Sequence, residues 1–186
     1  MKAYSMLPTG YKEIFNINLQ QNKKLALILN FWAGVIAIAM VIPASIFVSN
    51  PFSLPTWQWW AIAGCNIAYI VLHELVHGIT MKICGTKKVK YGFTGLYAFA
   101  GSNDWYDKSS YITIALAPVV VFGVILAIAQ MLLPVEYFWI PWVTQVANIS
   151  GAVGDAYVTA KFSKMPKDIL VSDCGVGMTV YSKQSI

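Results

Sequence analysis

Residues 57–83 read WQWWAIAGCNIAYIVLHELVHGITMKI. A helix of that length rises about 40 Å at about 1.5 Å per residue, enough to cross the ~30 Å hydrocarbon core of a bilayer. Three more apolar stretches are of similar length, at about 25–48, 111–133 and 138–160. The whole chain has 186 residues, 58% of them hydrophobic and 11% charged, with a mean hydropathy of +0.60. An average soluble domain is about 25% charged. Too few polar side chains remain here to cover a soluble surface, and a disordered chain is excluded on the same figures. The expectation is an all-α membrane protein. It would be a four-transmembrane-helix bundle, a single integral membrane domain over 1–186, with a short cytoplasmic-side strand or hairpin between helices 2 and 3.

All 13 basic residues are Lys. Lys2, Lys12, Lys23 and Lys24 precede the first stretch, and Lys82, Lys87, Lys88, Lys90 and Lys108 lie between the second and third. Lys161, Lys164, Lys167 and Lys183 follow the fourth, while loops 49–56 and 134–137 contain none. The positive-inside rule then predicts a multi-pass protein of the plasma membrane with both termini cytoplasmic: an N-terminal segment at 1–24 and a tail at 161–186. Trp57, Trp59, Trp60, Tyr137, Trp139 and Trp142 mark the opposite interface, as aromatic belts do. A net charge of +5 without Arg points to a lipid bilayer as partner and away from nucleic acid, because Arg is the side chain that reads bases. Cys65, Cys84 and Cys174 show no CxxC spacing and read as free thiols. The aromatic and Gly-rich VKYGFTGLYAFA at 89–100 reads as a strand or hairpin, and 169–171 as a short strand in the tail. Pro118 falls within the third stretch, where it is expected to kink the helix.

Ionisable groups inside a span are costly and mark function. Those deep within the four stretches are His73, Glu74, His77 and Asp155. The first three form HExxH, and the chain has two His in total. Residues i and i+4 share a helix face, so two imidazoles can bind one metal while the adjacent Glu reaches a metal-activated water. A catalytic zinc site needs a third protein ligand. Asp155 lies about 9 Å below the interface marked by Lys161, between His77 and His73 at about 7 and 13 Å below Lys82. Cys84 is a second candidate. Glu136 is expected at the far side, and Asp104, Asp107, Asp168 and Asp173 in cytoplasmic loop or tail. Ala147, Gly151 and Gly154 are small residues expected to let helices approach closely. Gln145, Asn148, Asp155 and Thr159 share one helical face, and Asn66 shares that of His73. Asn66, Gln145 and Thr159 read as interhelical hydrogen bonding, while Asn148 is equally a candidate to support the oxyanion.

HELVHG at 73–78, KYGFTGLYAF at 90–99, ALAP at 115–118 and NISGAVGD at 148–155 together resemble the short bacterial membrane proteins grouped as zincin-like peptidases. The last element is also similar to the Asn…Asp-Gly element of site-2 proteases, although Gly154 and Ala156 stand where those enzymes carry Leu and Gly, and the intervening Pro is missing. The resemblance implies an intramembrane or membrane-embedded zinc metallopeptidase holding one Zn2+ through His73, His77 and Asp155, with Glu74 as base. It would hydrolyse peptide bonds of a membrane protein or peptide near the cytoplasmic face through a zinc-activated water. The alternative is a metal-binding membrane protein or accessory subunit without proteolysis.

Overall fold

Asn22 starts the first helix by accepting a hydrogen bond from Leu25 N at 3.0 Å. The computed structural model describes residues 2–18, 21–48, 51–95 and 97–183. Five helices follow one another: α1 (Lys23–Phe47), α2 (Thr56–Ile83), α3 (Lys108–Leu132), α4 (Trp139–Gly151) and α5 (Val153–Ser163). The first three are long and apolar enough to cross a membrane. Their outward faces are strongly apolar: Leu27, Phe31 and Ile46 on α1 are 71%, 64% and 73% exposed.

The stretch at 138–160 does not make one helix. It divides at Ala152, whose φ of −77° and ψ of 9° close α4 before α5 begins. At 13 residues, α4 alone is shorter than the roughly 20 residues a span needs. The break puts Asp155 in the first turn of α5. Gly151 and Gly154, expected to permit close helix contact, instead border a cavity, and a Cβ on either would meet nothing within 4 Å.

The all-α expectation is overturned by two sheets. Strands β1 (Ala3–Tyr4), β2 (Lys12–Asn18), β5 (Trp105–Asp107), β6 (Leu170–Asp173) and β7 (Gly177–Ser182) form an antiparallel sheet in the order β1-β5-β6-β7-β2. Strands β3 (Lys90–Phe93) and β4 (Ala98–Gly101) form a separate hairpin within the stretch expected to contain one, although Leu96 lies outside the described residues. The larger sheet escaped the sequence reading for physical reasons. Three of its strands are 2–4 residues long, too short to show a period. In β2 the register shifts between Glu13 and Phe15, and the adjacent Ile14 and Phe15 both pack on the core, which breaks the alternation a strand would display. Its partner β7 lies at the other end of the chain, with Lys12 opposite Ser182.

The sheet therefore gathers three separate segments: the one before α1, the connection between α2 and α3, and the tail after α5. Its inner face, with Ile17, Val171 and Val180, closes over Met81, Tyr111 and Phe162 at the ends of three helices. A second small core of Ala44, Ile62 and Trp139 holds α1, α2 and α4 together elsewhere. The hairpin is fixed by two close approaches. Tyr91 lies against the bare face of Gly78 on α2, and Gly101 sits against the backbone of Cys174 and Gly175 in the β6–β7 turn, so a Cβ at either glycine would collide.

Candidate metal centre

His73 and His77 project from one face of α2, their rings 4.9 Å apart between centroids and 78° between planes. Asp155 comes to them from α5. His73 Nε2 lies 3.8 Å from Asp155 Oδ2, and His77 Nε2 lies 3.8 Å from Asp155 Oδ1. Among the described residues, these three form the group of His, Cys, Asp or Glu close enough to share an ion. The spacing is longer than a hydrogen bond. It is near the ~3.4 Å between ligand atoms that tetrahedral zinc bonds of about 2.0–2.1 Å impose.

The outer partners settle how each ring presents itself. His77 Nδ1 lies 2.9 Å from the Ile114 carbonyl on α3, and a carbonyl only accepts, so Nδ1 carries the proton and donates. His73 Nδ1 lies 2.8 Å from Tyr69 Oη. Its state follows from a chain of three side chains. Asn148 Nδ2 donates to the Val119 carbonyl at 3.1 Å, which fixes its amide orientation and turns Oδ1 towards Tyr69. Tyr69 Oη donates to that oxygen at 3.2 Å, so His73 Nδ1–H must be the donor to Tyr69. Both rings thus carry hydrogen on Nδ1 and turn an Nε2 lone pair towards Asp155. This is the arrangement that outer partners give metal-bound histidines. Two lone pairs and a carboxylate facing one point fit a divalent ion.

Tyr69→Phe would remove the acceptor of His73 and leave Asn148 Oδ1 without its donor. Zinc affinity should fall about 10- to 100-fold. A competition titration with a chromophoric chelator reads this directly, and unchanged affinity would discount the relay.

Glu74 faces the same cavity, of about 260 Å³, together with Ala98, Phe99 and Ala100 of the hairpin. The remaining candidates are placed elsewhere. Asn148 is fully buried, and its amide is engaged by Tyr69, Val119 and Gln145. It therefore backs the His73 relay, and no free amide N–H is left to point at an oxyanion. Cys84 caps α2 inside the sheet-side core, where burial pushes its thiol up, away from the thiolate a metal requires. Gln58 Nε2 donates to the Glu136 backbone carbonyl, which places Glu136 at the far end of α2, about 22 Å along the helix from His73. Asp107 caps α3 through Ser110 N, and Asp168 accepts from Ser182 Oγ and Lys183 N, bonds that hold its carboxyl low.

Asp173, expected in a cytoplasmic tail, instead joins the cavity. It is buried, accepting from Tyr111 Oη at 2.7 Å and Gly175 N at 2.8 Å. Burial pushes its carboxyl up to about 6. An acid raised in the folded state holds its proton longer there than in the unfolded chain, so its contribution to stability falls as pH rises from about 4 to about 6. Asp173→Asn should flatten the decline of the metal-free Tm over that interval. An identical slope in both proteins would remove Asp173 as its source. The Ser-Asp-Cys-Gly stretch at 172–175 reads as a turn, and nothing in it signals burial against helices.

Residues 66–170 match the model of a family described as "Putative zincin peptidase". The chain belongs to that family. The matched residues span both histidines, Glu74 and Asp155. This zincin-family chain is also 32% identical over 117 residues to the "Uncharacterized 24.7 kDa protein in gap 5'region" of Pyrococcus woesei, a match covering 60% of this chain and 50% of the relative. It therefore spans about half the length of that curated relative. No solved structure matches it.

Proposed function

We propose that this zincin-family chain is an intramembrane metallopeptidase of the site-2 protease kind. It would hold one zinc ion per chain and hydrolyse peptide bonds near the cytoplasmic face. The observation that carries this reading is the pair of Nε2 lone pairs turned on one carboxylate, with Glu74 beside them in the same cavity. Membrane embedding is supported by three helices of spanning length with exposed apolar faces. The sheet supports the topology. It unites the three lysine-bearing segments on one side, as cytoplasmic termini and a cytoplasmic connection require.

His73, His77 and Asp155 would hold the ion, and their neutral rings and single carboxylate favour zinc among divalent metals. When bound, zinc supplies Lewis acidity and a water whose pKa is near 7. Glu74 takes the proton from the attacking water on its carboxylate and delivers it to the leaving amine. The substrate would be a membrane protein or peptide whose helix unwinds at the scissile bond. The edge of β4, which lines the cavity next to Glu74, would receive it as an added strand.

Quantitative proteomics of membrane fractions tests this. Cells carrying Glu74→Gln should accumulate an intact membrane substrate that wild-type cells convert to fragments. Identical profiles would leave the peptidase reading without support and return the chain to a metal-binding role.

A further inference from the structure

The bond that orients His77 raises the question of why a helix carbonyl is available to it. Within an α-helix the carbonyl of residue 114 accepts from the N–H of residue 118. Residue 118 is Pro, which has no N–H. α3 continues through this position from Lys108 to Leu132, so the Ile114 oxygen lies inside a helix yet lacks its helical donor. Ile114 is 2% exposed and Pro118 is also fully buried, so bulk water does not reach that oxygen to replace the donor. A buried carbonyl needs a partner. The partner found is His77 Nδ1–H, across the helix interface at 2.9 Å.

We propose that Pro118 is a positioning residue for the metal centre. By withholding a backbone donor it keeps the Ile114 carbonyl for His77, which fixes that ring as the Nδ1–H tautomer and aims Nε2 at Asp155. The inference rests on the reading that His73, His77 and Asp155 hold zinc. It is distinct from a purely structural role for the proline, because the two predict opposite changes in the metal-free protein.

Zinc affinity of the detergent-solubilised full chain, measured by chelator competition, is compared with the Tm of the metal-free form. Pro118→Ala restores the N–H, so residue 118 competes for the Ile114 oxygen and frees the His77 ring. Zinc binding should weaken about 10- to 100-fold, while the metal-free Tm stays level or rises, because Ala is the better helix former. Pro118→Gly restores the same N–H but leaves the backbone free to bend, and it should weaken zinc too. Should the alanine variant fail to fold, the glycine variant decides alone. Zinc affinity within twofold of wild type in either folded variant overturns the proposal. So does a weakened affinity in Pro118→Ala accompanied by a clear drop in metal-free Tm, which would assign the proline to the fold. Wild type that takes up no zinc removes the underlying reading and the proposal together. Wild type that binds zinc, with an alanine variant that binds equally well, removes the proposal alone.

Discussion

His77→Ala is expected to yield a protein that purifies without zinc, where wild type retains about one ion per chain. The imidazole is one of the three proposed protein ligands, and a truncated site would offer the ion His73 and Asp155 only. Structural zinc sites bind with roughly 10–16 kcal/mol in total, so losing one ligand of three should weaken binding about a thousandfold or more. The loss should be specific. His77 is partly buried beside a cavity and makes one hydrogen bond outward, to Ile114. Removing it leaves that carbonyl without a partner but opens no large void. Metal analysis after dialysis against a weak chelator is the measurement. A His77→Ala protein with wild-type zinc content would mean that the cluster is not the metal site.

The second large effect is expected at Glu74. Replacing it with Gln keeps the shape of the side chain and changes none of the three proposed ligands. Zinc content should therefore match wild type. Cleavage should fall by about 10²- to 10⁴-fold, the contribution of a positioned general base. The two variants separate the steps: one removes the ion, the other leaves it in a site that cannot move a proton. Turnover by Glu74→Gln at the wild-type rate would assign the base elsewhere, and Asp173 is the acid lining the cavity that is neither Glu74 nor a proposed ligand.

The parts of this protein that the sequence makes legible are those governed by a local period or by the cost of burying charge. The three long helices follow from apolar length, and the HExxH pair from the i, i+4 spacing that puts both rings on one face. Asp155 is legible by depth: counting residues from Lys161 and from Lys82 puts it level with the histidines, and the structure brings it to 3.8 Å from each. What stayed hidden is long-range pairing. Nothing in Lys12–Asn18 names Gly177–Ser182 as its partner, and the shift between Glu13 and Phe15 removes even the alternation. The break at Ala152 carries no Pro, and its neighbouring glycines read equally well as packing surface. Tyr69 was within reach, four residues before His73 on the same face. The Ile114 carbonyl was not, because a backbone oxygen leaves no mark in a sequence unless the residue four positions later is read as a missing donor.

The joining of β2 to β7 also bears on when the proposed metal centre is complete. The chain's first long strand is made early and then waits for a partner more than 150 residues downstream, while five helices form in between. Pairings this distant are slow to close. On the proposed reading, the nascent polypeptide carries both imidazoles and their neighbouring glutamate through the 78 residues from His77 to Asp155 before the acid is made, and β7 pairs with β2 only after that.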